Sequence, residues 1–148
     1  MKNQNKSLII LMADDDPDDR LLVKDALAEC DPAQQIQFAE NGEDLLNYLE
    51  HRDRHQDASA APRPGLILLD LNMPLKDGRE ALRDIKSHPH LRRIPVVIFT
   101  TSNADTDIRQ TYDLGANSFV TKPTRFASLV EVMRSLCGYW SGVVTLPV

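Results

Sequence analysis

The 148-residue chain has only two cysteines, Cys30 and Cys137. They form no CxxC and no metal-type spacing, and two cysteines make no disulfide framework, so a reducing, cytoplasmic setting is expected. Basic runs are as scarce. Nothing stands out beyond Arg92-Arg93, and a net charge of -5 argues against nucleic acid as the primary ligand. No apolar run approaches the roughly 20 residues of a spanning helix, so no membrane role is expected. Met1 to Lys6 are polar and are read as leading directly into a strand, so no signal peptide is expected. Internal repeats are absent, and nothing marks a second domain.

What is present is an alternation of two apolar patterns within one domain spanning residues 1–148. Short buried runs occur at Leu8-Met12, Ile36-Ala39, Leu66-Leu69, Val96-Phe99 and Ser118-Val120. Several are continuously apolar, as in strands buried on both faces of a parallel sheet. Between them lie helical stripes: Leu21, Leu22, Ala26 and Leu27; Leu45, Leu46 and Leu49; Ala81, Leu82 and Ile85; Ile108, Tyr112 and Leu114. The last and clearest is Phe126, Leu129, Val130, Met133, Cys137 and Trp140. Five strands alternating with five helices predict right-handed βα units and a three-layer, doubly wound α/β sandwich.

Boundary residues agree with this reading. Asp16-Pro17 predicts a capped start for the first helix, and Thr124 a cap for the last. Asn41-Gly42 and Asp77-Gly78 are read as turns. Residues 51–65, rich in Arg, His, Ala and Pro, read as a long surface insertion, and residues 141–148 as a short apolar tail.

In an open parallel sheet, ligands bind beyond the carboxyl ends of the strands, where strand order reverses. The first strand ends in Asp14-Asp15-Asp16, the third in Asp70, the fourth in Thr100-Thr101-Ser102 and the fifth in Lys122-Pro123. Adjacent carboxylates raise one another's pKa unless a cation neutralises them. All-oxygen ligation with room for water suits Mg2+, which takes a few carboxylates together with phosphate oxygens. A lysine and a hydroxyl beside it supply donors for a phosphoryl group, whose transfer needs mainly alignment and charge neutralisation. Any one of these acids alone would read as a solvated turn residue. Their convergence on four strand ends is what points to chemistry.

Met12-Ala13-Asp14-Asp15-Asp16, Leu69-Asp70-Leu71-Asn72-Met73-Pro74, Phe99-Thr100-Thr101 and Lys122-Pro123 resemble, in order, the motifs of response-regulator receiver domains. The resemblance runs from Leu8 to about Trp140. It implies a flavodoxin-like sheet of order 2-1-3-4-5 and phosphorylation of Asp70 by the phosphohistidine of a sensor kinase. It further implies Mg2+ ligated by Asp15 and Asp70 and by the backbone carbonyl of Asn72, with Asp14 acting mainly through a bound water. The Thr100 hydroxyl and Thr101 N–H would hold phosphoryl oxygens, and Lys122 would pair with the phosphate. Asp16 is read as a helix cap rather than a ligand.

The same resemblance places a cis peptide at Lys122-Pro123 and a switch aromatic at Phe119, which turns inward as Thr100 moves. Many relatives carry Tyr there, so Phe119 keeps the ring without the hydroxyl. The insertion ending in Ala61-Pro62-Arg63-Pro64-Gly65, with Tyr139-Trp140 and Thr145-Leu146-Pro147, is similar to stand-alone receivers that partner bacterial phytochrome histidine kinases.

Three functions are weighed: a phosphorylation-switched binding module, a Mg-dependent phosphatase passing through an aspartyl phosphate, and a receiver-like scaffold that is not phosphorylated. The phosphatase would need its nucleophile on the first strand and an acid two residues later, where this chain has Asp70 on the third strand and Asn72. A scaffold would not need the full acid, hydroxyl and lysine set. The switch is therefore the expected function, with only self-phosphorylation and slow self-dephosphorylation as chemistry. A homodimer is expected through a second apolar row on the last helix and tail: Val132, Leu136, Tyr139, Trp140, Val143 and Leu146.

Overall fold

The computed structural model describes residues 7–147. The polar lead-in Met1 to Lys6, and Val148 of the tail, lie outside the described residues. Five strands alternate with five helices: β1 (Ile9–Ala13), α1 (Pro17–Cys30), β2 (Gln35–Ala39), α2 (Gly42–Leu49), β3 (Leu66–Leu69), α3 (Gly78–Ser87), β4 (Val96–Thr100), α4 (Asp105–Asp113), β5 (Ser118–Thr121) and α5 (Phe126–Gly142). All pairings are parallel and the strand order is β2-β1-β3-β4-β5, the doubly wound order expected.

Strand side chains alternate between two cores, as a period of two requires. Leu11, Ala13, Ile67, Leu69, Val96 and Ile98 pack with α2 and α3 on one face. Ile10, Met12, Leu66, Leu68, Val97 and Phe99 pack with α1 and α5 on the other. Both faces are dry, which explains why the central strands read as unbroken apolar runs.

Helix faces depart from the predicted stripes in places. Leu21 and Leu22 are 57% and 44% exposed, and Val23, Ala26 and Leu27 form the buried face instead. These three sit at i, i+3 and i+4, whereas Leu22 is rotated a full residue away. In α4, Tyr112 is exposed and Thr111 is buried. The Thr111 hydroxyl donates to Asp107 O at 2.8 Å, which satisfies it inside the core. Phe126 stands half open at the start of α5, while Leu129, Val130, Met133 and Cys137 are buried as predicted.

Helix starts are set by side-chain oxygens. Asp16 accepts from Asp18 N at 2.9 Å, with Pro17 at the first helical position, as expected. Asn41-Gly42 and Asp77-Gly78 are not free-standing turns but caps of α2 and α3. Asn41 Oδ1 accepts from Asp44 N at 2.8 Å. Asp77 and Glu80 form a reciprocal capping box. Thr124 does not cap α5; the cap position falls one residue later, on Arg125, whose side chain has no oxygen to offer.

The insertion 51–65 is pinned rather than free. Tyr48 Oη donates to Pro62 O at 2.8 Å and His51 Nε2 donates to Ala61 O at 2.9 Å. His55 is buried against Tyr48 and bonds Asp44 Oδ1 at 2.8 Å, and Ala61 is buried. Burial of the Tyr48 phenol pushes its pKa up to about 12. These anchors turn a polar-looking segment into a flap on α2.

Candidate metal and phosphoryl site

Register places the site. Ala13 pairs with Leu69, so Asp14 and Asp70, the next residues, leave β1 and β3 side by side where strand order reverses. Backbone bonds hold both: Asp14 N donates to Ala39 O and Asp70 N to Ala13 O, each at 3.0 Å. Gly78 presses the start of α3 against the same loop. A Cβ at Gly78 would lie 2.1 Å from Asp70 O, so the close approach admits no side chain.

Asp14 is buried completely and Asp70 almost so, while Asp15 faces solvent. One oxygen from each of the three carboxylates comes within 4.8 Å of the others. Asp14 Oδ1 accepts from Asp16 N at 3.0 Å and Asp70 Oδ1 from Leu71 N at 2.8 Å. Their Oδ2 atoms face Lys122, whose Nζ stands 2.6 Å from Asp14 and 3.4 Å from Asp70. Burial pushes the Asp14 carboxyl above its ordinary range, a rise only partly offset by Lys122 and the Asp16 N–H. Burial also works against the Lys122 ammonium, but its bonds to Asp14 and Asp19 outweigh that and hold it charged, above its ordinary range.

Thr100 ends β4 fully buried, and its Oγ1 has no hydrogen-bond partner among the described residues. An orphaned hydroxyl at the rim of an acid cluster is a donor waiting for an oxygen. Thr101, the next residue, and Asn72 are exposed. Phe119, on β5, packs half-buried against the α2–α3 core. The Lys122–Pro123 bond is trans: no cis peptide occurs among the described residues. Trans is the intrinsically favoured isomer of X–Pro by about 0.5–1 kcal/mol, and the Lys122 amine already reaches Asp14 from it.

Two features were not anticipated. Asp19, in the first turn of α1, holds Lys122 Nζ at 2.7 Å, and Arg20 Nη1 donates to Asp14 O at 2.7 Å. At the far rim, Asp107 accepts from Ser102 Oγ and from Arg79, both at 2.6 Å. These two bonds hold the Asp107 carboxyl below its usual range. The site thus gathers four carboxylates, Asp14, Asp15, Asp19 and Asp70, against the Lys122 ammonium and the Arg20 guanidinium. The surplus of negative charge and the all-oxygen donor set fit a hard divalent cation.

Residues 10–134 match the response regulator receiver domain. The chain belongs to that family. As a receiver it is similar to the response regulator Rcp1 of Synechocystis sp., with 36% identity over 143 residues, 97% of this chain and 95% of Rcp1. Its fold is similar to the crystal structure of the phosphorylated cyanobacterial phytochrome response regulator RcpA. The TM-score is 0.88 at 36% identity, covering 97% of this receiver and 100% of that chain. It is also similar to the Mn(2+)-bound form of Rcp1, with a TM-score of 0.84 at 35% identity, covering 95% and 99%. Among the described residues, no helix is long and apolar enough to cross a membrane.

The predicted dimer residues are largely covered by their own chain. Val132, Leu136, Trp140 and Leu146 pack against the α1–α5 core. Leu146 reaches back to Gly65, where its Cδ1 would lie 3.1 Å from an added Cβ. Tyr139 and Val143 stay open, at 50% and 72% exposure.

Proposed function

We propose that this receiver accepts a phosphoryl group on Asp70 from the phosphohistidine of a sensor histidine kinase, and that the adduct switches its partner-binding surface. The observation that carries this reading is the corner formed by Asp70 Oδ2, Lys122 Nζ at 3.4 Å and the partnerless Thr100 hydroxyl. A carboxylate oxygen of Asp70 attacks phosphorus, the P–N bond breaks as the P–O bond forms, and the departing imidazole nitrogen keeps the electron pair and takes up a proton. Lys122 balances charge gained at the phosphoryl oxygens, and Thr100 Oγ1 and Thr101 N–H donate to them.

Asp14, Asp15, Asp70 and the Asn72 carbonyl would hold Mg2+, which when bound neutralises the acid cluster and the phosphoryl oxygens. Drawing the Thr100 hydroxyl toward an oxygen vacates space beside β5, into which Phe119 turns. In this reading the protein works in the cytoplasm, and its donor is a phytochrome-type kinase, the association carried by the name of RcpA. Tyr139 and Val143 would pair across a two-fold axis in a homodimer.

The test is transfer from a purified, ATP-labelled phytochrome-type histidine kinase in Mg2+. Label should leave the kinase and appear on this receiver but not on its D70N variant. Label that stays on the kinase contradicts the partner assignment.

A further inference from the structure

The Lys122 ammonium has three donors, and each is committed: 2.6 Å to Asp14, 2.7 Å to Asp19 and 3.4 Å toward Asp70. The longest of these faces the oxygen on which a phosphoryl group would be built. To make a full-strength bond there the amine must move toward Asp70, and one of its two short bonds must lengthen. Asp14 is fully buried and cannot be resolvated, whereas the Asp19 side chain is 30% exposed and can be. A half-wet carboxylate is the cheaper partner to abandon.

We propose that Asp19 is a positioning residue, the resting-state counter-ion of Lys122, which competes with the phosphoryl group for the lysine and is released when Asp70 is modified. This rests on the reading of Asp70 as the acceptor and adds a regulatory element to it. The competition sets how readily the site enters its modified state. It also ties that state to the first turn of α1, because Asp19 is carried by that helix.

Beryllofluoride, a phosphoryl mimic, measures the competition directly at saturating Mg2+. Asp19→Asn should bind it about tenfold more tightly than the native protein, the equivalent of one charge-assisted hydrogen bond no longer broken. A damaged fold cannot produce such a gain. Asp19→Glu should return the affinity toward the native value. Asp19→Ser repeats the test without an amide that could itself bond the amine. Asp18→Asn removes the same charge from the same exposed turn without touching Lys122, and should change affinity by less than about twofold.

Equal or weaker binding by both Asp19→Asn and Asp19→Ser, or an equal gain from Asp18→Asn, overturns the proposal. If the native protein takes no beryllofluoride, the acceptor reading falls and this inference with it. Native binding with no gain in the Asp19 variants sinks this inference alone.

Discussion

The backbone N–H of Lys122 donates to the carbonyl of Thr100 at 2.7 Å, which locks the ends of β4 and β5 into one corner. The lysine and the hydroxyl therefore approach Asp70 on a single rigid frame. They differ in cost to the fold: Lys122 is fully bonded, whereas Thr100 Oγ1 is buried without a partner. Thr100→Val keeps the shape and removes the orphan, so it should stabilise the fold by about 1 kcal/mol. The same change should weaken beryllofluoride binding. Denaturant melts and a beryllofluoride titration together check this; loss of stability with unchanged binding would assign Thr100 a purely structural part.

Asp15 and Asp16 are adjacent, exposed and chemically identical, yet they are placed for different work. Asp15 contributes an oxygen to the carboxylate cluster, and Asp16 caps α1. Asp15→Ala should lower Mg2+ affinity far more than Asp16→Ala does. Asp16→Ala should instead cost about 0.5–2 kcal/mol of stability, as lost caps do. Mg2+ titrations and melts on the two variants separate the effects, and equal Mg2+ affinity would contradict the division.

The flap over α2 should loosen in acid. Burial opposes ionisation of Asp44, but bonds from Arg54, the Glu40 N–H and His55 outweigh it and leave the carboxyl below its ordinary range. A carboxyl with a lower pKa folded than unfolded contributes stability above the unfolded value. That contribution is lost as pH falls through the folded one. Asp44→Asn should therefore flatten the acid limb of the stability curve below about pH 4. It should also speed trypsin cleavage at Arg52 and Arg54 at neutral pH. A native cleavage rate in the variant would show that Asp44 does not hold the flap.

Self-association should depend on Tyr139 and Val143, because the rest of the predicted patch is partly buried against its own core. Light scattering should find a dimer for the full chain and a monomer for the Tyr139→Asp, Val143→Asp double variant, with similar melting temperatures. A native monomer at micromolar concentration would remove the interface.

The layered sheet was legible because β1, β3 and β4 carry continuous apolar runs, and the site because its acids, hydroxyl and lysine follow strands directly. Asp19 escaped that reading because it reaches Lys122 from a helix, not from a strand end. An acid four residues beyond Asp15 in an otherwise acid-rich first helical turn was the only signal, and it also fits a dipole effect. Leu21 and Leu22 misled because adjacent apolar residues leave the helix phase ambiguous until packing chooses Val23. Part of the flap's anchoring was missed because Tyr48 and His51 bond the backbone carbonyls of Pro62 and Ala61, which no residue pattern announces.

The most direct test of the acceptor assignment is intact mass after incubation with acetyl phosphate and Mg2+. The native protein should gain one phosphoryl group, lost again on removing the donor, and Asp70→Asn should gain none while melting as a folded protein. A full adduct on the Asp70→Asn protein, or none on the native one, would contradict the account.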